Sequence, residues 1–166
     1  MPIPDQTARA VEPVRKSVVV HRPQAEVFAL FTDRLDTWWP LATHSIAADT
    51  FEGRVTTEAI VFEKHPGGRV LERMSDGTEA AWGTILAWEP PARFVMTWKP
   101  TLEEGPSTEV ELRFTSLAAG RTRIDLEHRG WELLGPDDPR RESYDDGWAR
   151  LFERFRELAR TGTAGN

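Results

Sequence analysis

The hydrophobic period of this chain changes as it is read from one end to the other. Val14 to His21 is a valine-rich run with partial alternation, which predicts a strand. Pro23 follows, a residue tolerated in a first helical turn. Val27, Phe28, Leu30 and Phe31 then share one helical face and predict a helix of about three turns. That region ends at Trp38-Trp39-Pro40, because a proline drives the residue before it out of the helical basin. Leu41 to Thr50 has no period and reads as a loop. From Val55 onward the period is two. Strands are predicted over Val55–Lys64, Arg69–Met74, Thr78–Trp88, Ala92–Trp98, Ser107–Ser116 and Arg121–Arg129. Turn residues separate them, with Asp76-Gly77 the strongest hairpin signal. Lys99 to Pro106 is a longer loop with an acidic tip at Glu103-Glu104-Gly105. After Asp137-Asp138-Pro139, a helix start, the period returns to three and four. Tyr144, Trp148, Leu151, Phe152, Phe155 and Leu158 form one stripe of a long closing helix, Pro139 to Ala159.

Two of the strands fix which face is covered. Val110, Leu112 and Phe114 alternate with Glu111, Arg113 and Thr115; Ile124, Leu126 and His128 alternate with Arg123, Asp125 and Glu127. One face of the sheet is wet and the other packs on something large, and the closing helix is the large element available. A sheet with one helix across it encloses a hollow. Trp38, Trp39, Trp82, Trp98, Trp131 and Trp148 lie on or beside the enclosing elements. Trp38 and Trp39 are adjacent, so both are not expected to enter one core. Trp88 falls at a turn and reads as a rim residue. Gly147 interrupts the helical stripe at a cost of about 1 kcal/mol against alanine, which suggests that something comes close there.

Composition narrows the function classes. The chain has 166 residues, enough for one domain that needs no staples. Residues 13–160 read as that domain, 1–12 as a flexible arm and 161–166 as a frayed tail. The net charge of −6 and the absence of long basic runs argue against nucleic acid and against an anionic membrane surface. There is no cysteine, which excludes disulfides and thiolate metal sites and suits a reducing cytoplasm. His21, His44, His65 and His128 show no ligand spacing, so no metal is expected. No phosphate loop, dinucleotide fingerprint or nucleophile elbow is present, so no cofactor is expected either.

The stretch from Val14 to Ala159 resembles the START-like, or SRPBCC, superfamily. Within it the chain is similar to the branch named for the activator of Hsp90 ATPase homolog 1. The matching residues are the strand running into Arg22-Pro23 with Val27 and Phe28, Trp82-Gly83-Thr84-Ile85-Leu86 leading to Glu89-Pro90-Pro91, Arg93 to Trp98, His128-Arg129-Gly130-Trp131, and Gly147-Trp148. The resemblance implies an α+β helix-grip fold: a seven-stranded antiparallel sheet wrapped around a long C-terminal helix, with two short helices between strands one and two. It implies a cavity for an apolar or aromatic small molecule and, through the branch name, a stress-response setting. Eukaryotic activators carry a further N-terminal domain that engages the chaperone. Only about a dozen residues precede the first strand here, which argues against an Hsp90 partner. A homodimer stays open.

Three functions follow as expectations. The first is binding of an apolar or aromatic molecule, with Trp38, Trp39, His44, Glu58, Glu72, Trp82, Met96, Trp98, Leu112, Phe114, Leu126, His128, Tyr144, Trp148 and Phe152 at the site. The second is acid/base catalysis by His128 with Glu58 or Glu72. The third is a surface that engages a chaperone or regulator. Each polar candidate has two readings. His128 is either a ligand partner or a core histidine satisfied internally. Glu58 and Glu72 face inward only if they share faces with Ile60 and Phe62, and with Val70 and Met74. His44 lies in a loop where a cavity mouth would open.

Overall fold

The computed structural model describes residues 11–51, 54–135 and 137–161. Seven strands form one antiparallel sheet: β1 (Val14–Val20), β2 (Thr57–Phe62), β3 (Arg69–Met74), β4 (Glu79–Glu89), β5 (Arg93–Trp98), β6 (Thr108–Ala118) and β7 (Arg121–Arg129). Their order is β1-β7-β6-β5-β4-β3-β2. The helices are α1 (Gln24–Asp33), α2 (Ile46–Phe51) and the long α3 (Arg140–Thr161), with 3-10 turns at Leu35–Thr37 and Trp131–Leu134. This is the α+β helix-grip fold. Among the described residues no helix is long and apolar enough to cross a membrane.

Local chemistry explains the punctuation. At Asp76-Gly77 the glycine takes φ +87°, and the Asp76 carboxylate accepts the Thr78 N–H at 2.9 Å. At the head of α3 the Asp138 carboxylate accepts the Arg140 N–H at 2.9 Å, a side-chain cap at the positive end of the helix dipole. The hydrogen bond from the Arg140 guanidinium holds that carboxyl down at about 2.

The sheet's inner face meets the α3 stripe. Register pairs Val110 with His128, Leu112 with Leu126 and Phe114 with Ile124, so all six point into one core with Trp148, Phe152 and Phe155. On the outer face Glu111 accepts hydrogen bonds from Arg93 and Arg129, both at 2.7 Å, and pairs with Arg113. Burial pushes the Glu111 carboxyl up, but the two arginine hydrogen bonds outweigh it and hold the group below its ordinary range.

Two expectations change. Leu41 to Thr50 is not all loop, because α2 begins at Ile46. A helix of one and a half turns is marginal in isolation, so its signal is tertiary. The Ser45 hydroxyl accepts the Ala48 N–H at 3.0 Å, and the Glu72 carboxylate accepts the N–H groups of Ile46 and Ala47 at 2.6 and 3.2 Å. Trp38 and Trp39 are also both buried. They leave the 3-10 turn in different directions: Trp38 packs on Phe31 and Phe155, and Trp39 on Trp82, Trp98 and Trp148. Core encloses this turn on two sides, so two adjacent side chains both enter it.

The expected arm 1–12 and tail 161–166 fall mostly outside the described residues. At the arm's end Val11 packs against the core, and the Glu12 carbonyl accepts from Arg141 at 2.6 Å.

Candidate functional site

Six tryptophans are buried: Trp38, Trp39, Trp82, Trp98, Trp131 and Trp148. A buried indole N–H usually finds an acceptor, since leaving it unpaired costs about 1–3 kcal/mol. All six do. Trp38, Trp39 and Trp131 donate to the carbonyls of Leu30, His44 and His128. The other three donate to side chains, and those side chains are three of the polar candidates: Trp82 to Glu72 at 2.7 Å, Trp148 to His128 at 3.0 Å and Trp98 to Tyr144 at 2.9 Å.

Glu72 is fully buried and saturated. Its carboxylate accepts from the Ile46 and Ala47 N–H groups, the Thr57 hydroxyl and the Trp82 indole. It faces inward with Val70 and Met74, but it fastens α2 to β2, β3 and β4 rather than offering an oxygen to a ligand. His128 is saturated too. Its Nδ1 accepts from Trp148, so the ring proton sits on Nε2 and is donated to the Thr108 hydroxyl at 2.7 Å. Thr108 in turn donates to the Trp98 carbonyl. Burial drops the imidazole to about 3, so His128 is neutral through the physiological range. Glu58 is exposed on β2. A bulge between Thr57 and Ala59 breaks the alternation that would have turned it inward. The acid/base set of His128 with Glu58 or Glu72 therefore does not converge.

The expected central hollow is filled. Among the described residues, a void of about 10 Å³ lies between α3 and the sheet, bounded by Trp39, Met96, Leu112 and Trp148 among others. That is no more than a single water's space. Each tryptophan buries roughly 150–250 Å², worth several kcal/mol at about 25 cal/mol per Å², so closing the hollow with indoles is strongly favourable. Met96, Leu112, Phe114, Leu126, Phe152, Trp38 and Trp148 are buried core residues and are not in the walls of either cleft at the end of α3.

Open space lies instead at one end of α3. An inner cleft of about 240 Å³ has Trp39, Trp82, Trp98 and Tyr144 in its walls, with Thr43, His44, Ser45 and Asp49 from the α2 side and Ser143, Gly147 and Leu151 from α3. An outer groove of about 760 Å³ adjoins it, between the loop after β5 and the 3-10 turn at Trp131. The two share Asp49, Trp98, Pro100 and Tyr144. A Cβ built on Gly147 meets nothing within 4 Å, so the glycine keeps the inner cleft open rather than admitting a neighbouring strand. The groove carries exposed apolar surface, with Leu102 55% accessible.

Of the expected site residues, Trp39, His44, Trp82, Trp98 and Tyr144 come together here. The sequence reading missed Thr43, Ser45, Asp49, Pro100, Ser143 and Leu151; only Gly147 carried a signal, as a mid-helix glycine. Among the described residues no three His, Cys, Asp or Glu side chains assemble as a metal site.

Residues 21–160 match the model of the activator of Hsp90 ATPase homolog 1-like proteins. The chain belongs to that family. No curated protein is a significant match. Among solved structures the chain is similar to Txn09, an anthrahydroquino-gamma-pyrone synthase, at 35% identity over 72% of this chain and 77% of that one, with a TM-score of 0.50. CalC, a self-sacrificing resistance protein from Micromonospora echinospora, shares the fold at 24% identity, covering 93% and 98% of the two chains with a TM-score of 0.69. The Aha1 dimer from Colwellia psychrerythraea does so at 12% identity, covering 90% and 96%, with a TM-score of 0.64.

Proposed function

We propose that this protein binds a compact aromatic small molecule in the cleft at the open end of α3. The observation that carries the reading is the inner cleft: indole walls, a few polar groups at the rim and a glycine that leaves room in the helix. Ligand pockets are mostly apolar with a few placed polar groups. At about 240 Å³ the cleft is smaller than the ~300–1,000 Å³ usual for drug-sized ligands, so it seats a ring system while any larger remainder lies in the outer groove. The likeness to a synthase named for a fused aromatic product supports the same ligand class.

That likeness also supports a second reading, in which the bound compound is converted. The titratable groups at the cleft would then be His44, Asp49 and Tyr144. A role on a chaperone rests on the family name alone.

A panel of fused-ring aromatic compounds tests the proposal. Binding should quench or shift tryptophan emission through Trp39 and Trp98, and raise the melting midpoint, since only the folded state holds the ligand. Gly147→Leu should remove both effects in a protein that still folds. A panel with no thermal shift, or binding untouched by Gly147→Leu, would refute the site.

A further inference from the structure

Every hydroxyl at the inner cleft except one has already spent its proton. Ser45 donates to the Leu41 carbonyl at 2.8 Å and Ser143 to that of Pro139 at 3.4 Å. Thr43 lies 3.3 Å from the Pro40 carbonyl and 2.7 Å from His44 Nδ1, so its proton is also engaged. Tyr144 differs. Its oxygen accepts the Trp98 indole N–H at 2.9 Å, and among the described residues no hydrogen bond uses the phenol's own proton. The ring is held among Trp98, His128, Trp131 and Trp148, so the phenol cannot swing away to find a partner. It belongs to the walls of both the inner cleft and the outer groove.

We propose that Tyr144 is the specificity-determining donor of this site, and that its partner is a carbonyl-type oxygen on an aromatic ligand, placed where the ring system leaves the inner cleft for the outer groove. This deepens the ligand-binding reading above and rests on it. The class is an aryl ketone, quinone or pyrone rather than a plain hydrocarbon. An acceptor is required because the phenol's accepting side is occupied by Trp98 and its proton is free. The hydrogen bond received from Trp98 polarises the O–H and strengthens it as a donor. Burial also holds the phenol above its ordinary range, so the proton stays in place. A donor that a seated ligand covers selects for an acceptor, because a ligand lacking one takes water from the O–H and leaves it unsatisfied.

The test is a matched pair of probes, fluorenone and fluorene, each as its soluble carboxylate. They share skeleton and charge and differ by one ring carbonyl. Wild type should bind the fluorenone about three- to tenfold more tightly, the range of one net neutral hydrogen bond. Tyr144→Phe should bring the ratio to about one; because it also takes the acceptor from the Trp98 indole, the ratio of the two affinities is what is read rather than either affinity alone. Tyr144 is the chain's one tyrosine, so isotope-labelled tyrosine gives a single Cζ resonance. That resonance should move further with fluorenone than with fluorene, an effect a purely structural role would not produce and one that needs no variant. Equal affinities in wild type, a preference that survives in Tyr144→Phe, or identical Cζ shifts overturn the assignment while leaving the cleft intact. If neither probe binds wild type, the cleft reading falls, and this inference with it.

Discussion

Replacing Gly147 separates stability from binding. The residue sits inside α3 and is half-buried, yet a Cβ there contacts nothing. Glycine in a helix interior costs about 1 kcal/mol against alanine, mainly in backbone entropy, and no clash offsets the gain. Gly147→Ala should therefore stabilise the ligand-free protein by about 0.5–1 kcal/mol. For a chain of this length that corresponds to a rise in Tm of roughly 1–4 °C, read by calorimetry or a denaturant midpoint at unchanged m-value. Leucine has nearly the same helix propensity, so Gly147→Leu should keep most of that gain. Its side chain extends into the inner cleft, and affinity for a seated aromatic should fall at least about tenfold, or 1.4 kcal/mol. A lower Tm for Gly147→Ala would mean that the space beside the glycine is occupied in solution. A Gly147→Leu protein that is stabilised but binds normally would place the ligand elsewhere.

Glu72→Gln should destabilise the fold by at least about 1–3 kcal/mol in urea titration, because the amide nitrogen faces the donors of Ala47 and Thr57 and only the hydroxyl can turn to accept; a wild-type midpoint would contradict the clamp. Folded His128 resists protonation down to about 3 whereas an unfolded imidazole takes a proton near 6.5, so its stabilising effect is complete above about pH 6.5 and is lost as pH falls through that window, by up to about 1.4 kcal/mol per unit. His128→Gln should be less stable at pH 7 but show a flatter acid profile between those limits, and parallel profiles would refute it. Phe114→Trp should lower stability by about 1–3 kcal/mol through overpacking of a filled core while cleft binding in the folded fraction persists, as a thermal-shift and affinity pair would show. Truncation after Gly135 should abolish cooperative melting, since it removes the helix that covers the sheet's apolar face; a sharp residual transition would argue otherwise.

Period and punctuation were legible in the sequence because both are local. A strand's alternation needs only its own residues, so β3 and β7 have the predicted bounds and Val110 to Phe114 and Ile124 to His128 face the predicted way. A capped stripe such as Tyr144 to Leu158 identifies α3 for the same reason. Glu58 escaped because a bulge in β2 is set by its pairing with β3. The resemblance implied a second short helix between β1 and β2, but periodicity did not place α2, because its N-terminal donors are satisfied by Glu72, more than twenty residues downstream. The largest change concerned space. Sequence supplied the tryptophans, but whether they line a cavity or fill it depends on the volume left after every side chain is placed, a sum over the whole core. Only the tertiary structure showed the hollow closed, the opening moved to the end of α3 beside Gly147, and the Tyr144 oxygen accepting from Trp98 at the edge of that opening.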